Sequence, residues 1–340
     1  MSDVAQAAGC SQTTVSFVLN GTPGISLSAT TRERVLGVAK ALGYAPPEAA
    51  RAGARARRRP LVDGMIGFVV DHVATSPEAV VAIEGARQAS WNAGNVVLVA
   101  QTLNDPAMED RTLRLLAGKG ADALVYMAIF TREIEPPAFL RQTSLPVVLL
   151  NCYARDHAFP AVVPSEIAGG ESATRHLVRH GHRRIATITG EPWMEAAKNR
   201  LTGYRRALAT ADIPFDRELV VEGDWSASAG HKATMQLLAL RERPTAIFCQ
   251  NDRTAIGCYE ALKERGLDVP GDMSVVGYDD EEISRHLHPQ LTTSILPHRA
   301  MGRWAIEHLD AAAGRAQRRH PIVKLECPLV ERASVAPPGH

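Results

Sequence analysis

Short apolar runs alternate with longer amphipathic segments from residue 62 onwards, and this alternation restricts the fold more than any other feature of the chain. The apolar runs read MIGFVV, NVVLVA, ADALVYM and PVVLL, and then RRIATIT, TAIFC and MSVVGY after Val163. Such runs are typical of strands buried in parallel sheets. Segments such as PEAVVAIEGARQASWNAG and GESATRHLVRHG suit the helices that cross between parallel strands. The pattern therefore predicts two doubly wound α/β subdomains that divide near Val163.

The N-terminal residues follow a different pattern, which predicts three short helices. Ala5, Gly9 and Val15 are spaced as in a helix-turn-helix, where a small residue lets two helices cross, a glycine turns the chain and an apolar residue fills the core. The last helix is predicted in SATTRERVLGVAKALGY, with an apolar stripe of Val35, Val38, Ala39 and Leu42 that ends at Gly43. These helices form a small all-α headpiece.

The middle helix of the headpiece, in SQTTVSFVLNG, has one apolar and one polar face. Val15, Val18 and Leu19 recur at helical spacing and turn inward, and Ser11 suits the N-cap. The outward-facing side chains are then Gln12, Thr13, Ser16 and Phe17. Short polar side chains on the first turn of such a helix suit the edges of DNA bases in the major groove.

The charge is unevenly distributed along the chain. Residues 1–60 carry eight basic and three acidic side chains, a net of +5, whereas the whole chain has a net charge of +1. A basic head on an acidic body indicates a polyanion as the partner of the head. The alternative is a solvated basic tail.

The cysteines and the N-terminus indicate a reducing compartment. Five cysteines are scattered without a C-x-x-C pair, so neither a zinc knuckle nor a disulfide framework is predicted. The sequence MSDVAQAAGC has no charged start followed by an apolar run, and no apolar stretch approaches the length of a membrane span. We therefore expect a cytoplasmic protein without a membrane partner.

Several longer strings resemble the lac repressor and galactose repressor family. They are DVAQAAGCSQTTVSFVLNG, TRERVLGVAKALGYAPP, RRIATITG, NRLTGYRRAL, EGDWS, PTAIFCQNDRTAIGCYEAL, DMSVVGYDD and LTTSILPHRAMGRWAIEHL. The resemblance covers nearly the whole chain. It implies a helix-turn-helix headpiece and an α/β core like that of periplasmic binding proteins, with two doubly wound parallel-sheet subdomains.

The resemblance also implies boundaries and partners. The expected headpiece is 1–46, the basic hinge 47–61 and the effector-binding and dimerisation core 62–338. The N-subdomain of the core is 62–163 with 295–323, and the C-subdomain is 164–294 with 324–338. The expected protein is a homodimeric repressor whose affinity for a pseudo-palindromic double-stranded DNA operator responds to a small effector. No heptad tail for tetramers follows ERASVAPPGH.

The resemblance assigns DNA contacts to the headpiece and hinge. They are Ser11, Gln12, Thr13, Thr14, Ser16, Phe17, Asn20, Thr31, Tyr44 and Arg51. Phe17 stands where relatives carry an Arg that reads guanine. Because a phenyl ring can pack on a thymine methyl group, we expect an altered base preference there. The alternative is that Phe17 packs in the headpiece core.

The hinge EAARAGARARRRP departs from the family pattern. Relatives insert a Leu between two base pairs, but Gly53 stands at about that position and no Leu, Ile, Met or Phe lies between Tyr44 and Leu61. The arginines predict a salt-dependent grip on phosphates and the minor groove instead. A solvated linker is the alternative. Relatives also carry a few residues before DVA, so some phosphate contacts of the first helix are expected to be missing.

The candidates for effector binding have two origins. Predicted strand ends supply Asp71, Asn151, Asn251 and Asp279, and the resemblance assigns effector positions to Arg200, Trp225, Asn251 and Asp279. Carboxylates, amides, a guanidinium and an indole suit a saccharide. A purine stays open, as does a role of some of these residues as helix caps, which is the role predicted for Asp252.

Other functions are predicted less well by the sequence. His176, His180 and His182 have metal-ligand spacing, but the surrounding string is ordinary for the family and favours a structural role. No dinucleotide-binding, P-loop, nucleophile-elbow or H-E-x-x-H motif occurs, and the acid pairs near Asp279 lack a base. We therefore predict no enzyme, no metal and no cofactor. The alternative function is a sugar-binding protein of the same fold whose DNA binding is weak or lost.

Overall fold

A computed structural model describes residues 2–10, 14, 15, 18, 29–41, 64–74, 77–312 and 319–339 of the chain. The chain divides into two compact units, Met1–Val62 and Asp63–His340. None of the helices within these described ranges combines the length and the apolar character that a membrane span requires.

The first unit is the helical headpiece. Its helices are α1 (Ser2–Ala7) and α2 (Ala29–Ala41), and Thr14, Val15 and Val18 between them are also helical. Gly9 has a φ of +61°, the left-handed conformation that the helix-turn-helix pattern predicts. The buried core consists of Val4, Ala5, Ala8, Val15, Val18, Val35 and Ala39. The predicted spacing of Ala5, Gly9 and Val15 is therefore confirmed, whereas Leu42 and Gly43 lie outside the described residues.

The second unit contains two six-stranded sheets. We call each sheet, together with the helices that pack on it, a lobe, and name them lobe 1 and lobe 2 in chain order. The lobe 1 strands are β1 (Met65–Val70), β2 (Val96–Gln101), β3 (Ala123–Ile134), β4 (Val147–Ala154), β5 (Ala161–Pro164) and β11 (Ile322–Leu325). The lobe 2 strands are β6 (Ile185–Thr189), β7 (Val220–Glu222), β8 (Ala246–Cys249), β9 (Ser274–Asp279), β10 (Thr292–Ile295) and β12 (Leu329–Val330). The orders are β11-β5-β4-β3-β1-β2 and β12-β10-β9-β8-β6-β7. All neighbours are parallel except β12, which is antiparallel to β10. The predicted pair of doubly wound parallel sheets is confirmed.

Helices cover the faces of both sheets. They are α3 (Pro77–Asn92), α4 (Pro106–Gly118), α5 (Ala138–Gln142), α6 (Glu166–Arg179), α7 (Glu195–Thr210), α8 (Ala227–Leu238), α9 (Asp252–Glu264), α10 (His298–Glu307) and α11 (Leu309–Ala312). Two 3-10 helices span Arg217–Leu219 and Glu282–Arg285. Although α10 follows β10 of lobe 2, it packs on α3 of lobe 1. The chain therefore crosses between the lobes after β5, after β10 and after β11.

The last of these crossings lies further along the chain than the sequence indicated. Residue 323 is the predicted end of the N-subdomain, but β11 pairs with β5 as far as Leu325. The chain reaches lobe 2 only after this ladder ends, because leaving it earlier would forfeit backbone hydrogen bonds.

Strand β2 is exposed, so the prediction that NVVLVA is a buried strand is wrong. Among the described residues, β2 forms the edge of the lobe 1 sheet and pairs with β1 alone. Its side chains Val96, Leu98 and Val99 are 50%, 45% and 45% exposed. The composition of β2 matches that of a central strand, but within the described residues one of its edges has no neighbouring strand.

Glycines allow three pairs of helices to cross at close range. These pairs are Gly85 and Gly302 on α3 and α10, Gly170 and Gly203 on α6 and α7, and Gly230 and Gly257 on α8 and α9. At each of these six positions a Cβ would overlap backbone atoms of the partner helix. The short distance between the two helices of each pair therefore depends on glycines, which have no side chain at the contact.

We expect Gly302→Ala to lower the free energy of unfolding by about 1–3 kcal/mol, because its Cβ would overlap the carbonyl oxygen of Ala82. Gly118→Ala is the matched control, since a Cβ there meets nothing within 4 Å. The control should be neutral or slightly stabilising. Urea unfolding of both variants measures the difference, and equal stabilities would contradict close packing of α3 on α10.

Candidate functional site

Four of the six predicted effector residues lie close to where strands of the two lobes end, which is where ligands bind to doubly wound sheets. Asp71 follows β1 in lobe 1, and Asn251 and Asp279 follow or end β8 and β9 in lobe 2. Arg200 lies within α7, and Trp225 precedes α8. Asn151 lies inside β4 rather than after it.

Asp71 is buried and both of its carboxylate oxygens have partners. Oδ1 accepts hydrogen bonds from the backbone N–H groups of His72 and Ile129, both at 2.9 Å. Oδ2 forms an ion pair with Arg132 at 3.0 Å. Arg132 also donates to Asn104 and is 31% exposed at its side chain. Asp71 therefore positions Arg132, a partly exposed cation that belongs to no motif of the sequence.

Asn151 stabilises an irregularity between β3 and β4. The Thr131 hydroxyl donates to Oδ1 at 2.6 Å, and Nδ2 donates to the carbonyl oxygens of Ala128 and Ile129 at 3.0 and 2.9 Å. The pairing register shifts at this place, between Met127 and Arg132. The amide is fully used by lobe 1 itself, so the expected ligand contact of Asn151 has no support in this geometry.

Asn251 and Asp252 make contacts other than those expected. Asn251 is the N-cap of α9, since its Oδ1 accepts from the backbone N–H of Thr254 at 2.9 Å. Its Nδ2 donates to the carbonyl oxygen of Trp225 at 3.0 Å. Asp252 is fully buried and accepts from the Thr293 hydroxyl at 2.6 Å and the Glu281 N–H at 2.8 Å. The cap role predicted for Asp252 is wrong, because its side chain joins α9 to β10 and to the loop after β9.

Burial raises the pKa of Asp252 to about 7, so Asp252→Asn should reduce a pH dependence of stability. In the unfolded chain this pKa is about 3.9. The folded state therefore keeps a proton that the unfolded state releases, and the stabilisation present below about pH 4 is lost as the pH rises towards 7. We expect the stability of the wild type relative to Asp252→Asn to fall by up to about 4 kcal/mol over this window.

Urea unfolding at the two ends of this window measures that difference. Glu260→Gln, on the exposed part of α9, is the control and should retain the pH dependence of the wild type. A stability difference between wild type and Asp252→Asn that stays constant with pH would contradict the assignment.

Arg200 is buried and its guanidinium is occupied by neighbours within the protein. Nε and Nη2 donate to the two carboxylate oxygens of Glu166 at 2.7 and 3.0 Å, and Nη1 donates to the carbonyl oxygen of Gln250. The guanidinium lies 3.8 Å from the centre of the Tyr278 ring, and Nη1 is 3.4 Å from Oδ1 of Asp279. The fork that was expected to hold ligand oxygens is therefore taken by Glu166, a residue that sequence reasoning missed.

Asp279 ends β9 with a φ of +110°, and its Oδ1 accepts no hydrogen bond. Burial raises the pKa of this carboxyl well above its usual range, Arg200 opposes the rise, and Glu78 adds to it. Oxygens of Glu78, Asp279 and Glu281 lie within 4.8 Å of one another, which is close enough to hold a cation. Glu78 lies in the first turn of α3 of lobe 1, so this group joins the two lobes. Sequence reasoning missed Glu78, which lies in no motif.

His298 lies beside this group of acids and was also missed. It is the first residue of α10, is only 3% exposed, and neither ring nitrogen has a hydrogen-bond partner. Burial lowers the pKa of His298 to about 4, although the charges of Glu78 and Glu166 oppose the change. We call the region between Glu78 and His298 of lobe 1 and Asp279 and Glu281 of lobe 2 the interlobe cleft.

Aromatic side chains lie around the interlobe cleft. Trp225 has a φ of +68° and its indole covers Gly190, where a Cβ would overlap the ring. Phe130 of lobe 1 and Trp193 of lobe 2 are edge to face, with ring centres 6.2 Å apart. Trp225 is half-buried and Trp193 is 64% exposed, so both offer apolar surface to a ligand.

The three histidines of HLVRHGH have partners within the protein. The ring of His182 is within 2.9 Å of the Thr245 hydroxyl and of the Ala336 carbonyl oxygen, and Nδ1 of His180 is 2.9 Å from the His176 carbonyl oxygen. His176 lies 3.4 Å from Glu331. These contacts favour the structural role over metal binding.

Most of the expected DNA contacts lie outside the described residues. Thr14 and Thr31 are helical and half-buried. The residues outside are Ser11, Gln12, Thr13, Ser16, Phe17, Asn20, Tyr44 and Arg51, together with the whole hinge 47–61. Their roles stay predictions.

Two family models match the chain. Residues 1–47 match the model of bacterial regulatory proteins of the lacI family, and residues 174–335 match the periplasmic binding protein-like domain. The HTH-type transcriptional repressor PurR of Aliivibrio fischeri (strain MJ11) is 32% identical over 335 residues, which cover 98% of this chain and 97% of the relative. The ribose operon repressor of Haemophilus influenzae is 31% identical over 338 residues and 98% of both chains.

Solved structures give the same result. The complex of the transcriptional regulator CelR with cellobiose has a TM-score of 0.67 and 29% identity, with 98% of both chains covered. The lac repressor dimer bound to operator and the anti-inducer ONPF has a TM-score of 0.67 and 28% identity, again over 98% of both chains.

Proposed function

We propose that a small effector in the interlobe cleft controls the DNA affinity of this chain, which belongs to the lacI family of bacterial regulatory proteins and is a DNA-binding transcriptional repressor. The family is one of transcriptional regulators and not of enzymes. We further infer that the effector is a saccharide and that the repressor acts as a homodimer.

Unpartnered polar groups in the interlobe cleft carry this proposal. Asp279 and Glu78 each have a buried carboxylate oxygen without a hydrogen bond, and both ring nitrogens of His298 are also unpartnered. A buried polar group without a partner costs about 1–3 kcal/mol, so such groups collect where a ligand supplies the partners. Because the groups come from both lobes, a ligand that satisfies them draws the lobes together.

A saccharide fits these groups. Carboxylates accept hydrogen bonds from neighbouring hydroxyls, and the half-buried Trp225 offers an apolar ring face to the C–H face of a sugar. The names of the ribose operon repressor and of the CelR–cellobiose complex both mention a sugar, which supports a saccharide as the effector. Arg200, Asn251 and Asp71 act on the ligand only through the residues that they position.

A second copy of the chain is the proposed occupant of the exposed edge of lobe 1. Val96, Leu98 and Val99 of β2 form an exposed apolar strand edge. In a two-fold dimer the same patch is used by both copies, so one apolar patch suffices. The solved lac repressor dimer on operator supports this assembly. Two headpieces then contact the two half-sites of a pseudo-palindrome.

The proposed division of labour follows the boundaries expected from the sequence. The headpiece 1–46 and the hinge 47–61 bind operator, and the core 62–338 binds effector and the second copy. Effector closes the cleft and changes the spacing of the headpieces. The effect is reciprocal, since operator must change effector affinity by the same factor.

Asp279→Asn tests the cleft. We expect it to weaken effector binding about 10- to 100-fold, because it replaces an unpartnered carboxyl group of the cleft with an amide. The readout is the anisotropy of a labelled operator duplex during titration with ribose, cellobiose, glucose, galactose, glucosamine, putrescine or hypoxanthine. Glu260→Gln is the control and should respond like the wild type. An operator affinity that none of these compounds changes would contradict effector control, and a response to hypoxanthine alone would contradict the saccharide.

A further inference from the structure

Carboxyl groups outnumber guanidinium groups in the interlobe cleft. The carboxylates are Glu78, Glu166, Asp279 and Glu281, and the guanidinium groups in contact with them are those of Arg200 and Arg253. Arg200 is bound by both of its forked nitrogens to Glu166, and Arg253 pairs with Glu281 at 3.1 Å. Four carboxylates therefore face two guanidinium groups.

Glu78 has no ion-pair partner among the described residues, although its Oε2 is buried. It lies in lobe 1, whereas Asp279 and Glu281 lie in lobe 2, and their oxygens approach within 4.8 Å. Like charges at this distance repel one another most strongly where water is excluded. The repulsion acts between the lobes, so it opposes closure of the cleft until something neutralises it.

His298 is an independent sign that a ligand belongs here. Its side chain is more than nine-tenths buried, it interacts electrostatically with Glu78, and neither ring nitrogen has a partner. Because burial disfavours the protonated ring, His298 offers one N–H donor and one acceptor but no positive charge. Unpartnered acceptors thus outnumber unpartnered donors among Glu78, Asp279 and His298.

We propose that the effector carries a protonated amine, which Glu78 of lobe 1 binds together with Asp279 and Glu281 of lobe 2, and that this charge closes the cleft. The inference rests on the proposed function, namely that a small molecule binds between the lobes. An ammonium group brings three donors and one positive charge, which matches the surplus of acceptors and of negative charge. Glu78 then determines specificity for amines over neutral analogues.

An ammonium group suits these carboxylates better than a divalent metal ion. To bind a metal ion, Glu281 would have to leave Arg253, and Asp279 would have to be shielded from the positive charge of Arg200. Hard cations are also held by carboxylates together with other oxygen ligands. An ammonium group forms hydrogen bonds of ordinary length to carboxylates that also keep their guanidinium partners. The nitrogen acceptor of His298 also suits an N–H donor.

Matched pairs of compounds test the proposal with the full chain. Glucosamine is compared with glucose and with N-acetylglucosamine, and putrescine with butane-1,4-diol, by calorimetry and by the shift in melting temperature at about 10 mM ligand. Magnesium and calcium chloride are the arms for a metal ion. We expect the amine of at least one pair to bind about tenfold or more tighter than its neutral partner. The pair that responds identifies the source as an amino sugar or an aliphatic amine.

Glu78→Gln should reduce that preference to less than about threefold, and Glu281→Gln is the second variant for the same measurement. The matched control is Glu84→Gln on the same helix, since Glu84 is exposed and pairs with Arg87 at 2.7 Å. This control should keep the amine preference.

Three results would overturn the proposal. The first is that neutral compounds bind as tightly as the amines. The second is that the preference for amines survives in both Glu78→Gln and Glu281→Gln. The third is that no amine raises the melting temperature of the wild type, whether or not the divalent ions do. If neutral compounds bind as tightly as the amines and neutral sugars change the operator affinity, the amine proposal fails but effector control of DNA binding stands. A wild type whose operator affinity responds to no compound would reject both.

Discussion

Replacing Arg200 with Met is expected to lower the free energy of unfolding by about 3–5 kcal/mol. Arg200 is 3% exposed and its two forked hydrogen bonds hold Glu166, whose side chain is also almost fully buried. Removing the guanidinium leaves the Glu166 carboxylate buried without its counter-ion, which costs far more than the net value of the pair. The variant should also lose its response to effector, because Asp279 loses the cation that lies 3.4 Å from its Oδ1.

Two further variants distinguish the loss of the buried ion pair from a general loss of stability. Arg205→Met removes an exposed guanidinium on the same helix, which lies over the Phe215 ring at 4.5 Å, and should cost less than about 1 kcal/mol. The double variant Arg200→Met with Glu166→Leu should regain part of the loss, since no buried charge then lacks a partner. Urea unfolding measures all three. An Arg200→Met protein as stable as the wild type would contradict the assigned ion pair.

Leu98→Asp is expected to dissociate the proposed dimer and to weaken operator binding at least about 100-fold. Leu98 is 45% exposed on the apolar edge formed by β2. An Asp there places two negative charges in the interface of a two-fold dimer, one from each copy. A monomer contacts only one half-site, so it loses the gain of binding both at once.

Light scattering of the purified protein and an operator titration measure these two effects. Phe215→Asp introduces the same charge at an exposed apolar residue of lobe 2, 42% exposed, and is the control for solubility and folding. It should leave the protein dimeric. A Leu98→Asp protein that stays dimeric, or a monomer that binds operator as tightly as the wild type, would contradict the role proposed for β2.

Local patterns predicted the fold well. The seven apolar runs are all strands, because a run of buried side chains between parallel neighbours leaves a direct trace in the sequence. The Ala5, Gly9 and Val15 spacing is confirmed for the same reason, since each requirement acts over a few residues. The exposure of β2 could not be predicted, because composition does not reveal which strand ends at a sheet edge.

The candidate site was predicted less well, because its contacts join distant residues. Arg200 was found from its motif, but its partner Glu166 is 34 positions away and nothing local links them. Asn251 and Asp252 are neighbours with similar cap chemistry, and only the packing of α9 against β10 decides which of them caps the helix. Glu78 and His298 lie at the starts of two helices that meet only in the folded lobe.

The most direct test of the central claim is selection of binding sites from a random DNA duplex pool by the purified full chain. We predict recovery of an inverted repeat, with thymine at the positions that Phe17 faces in each half-site. Binding should weaken steeply with salt, as the basic hinge implies. Failure to enrich any site, even at low salt, while a ligand still binds in the interlobe cleft, would contradict the account and favour a ligand-binding protein that has lost its operator.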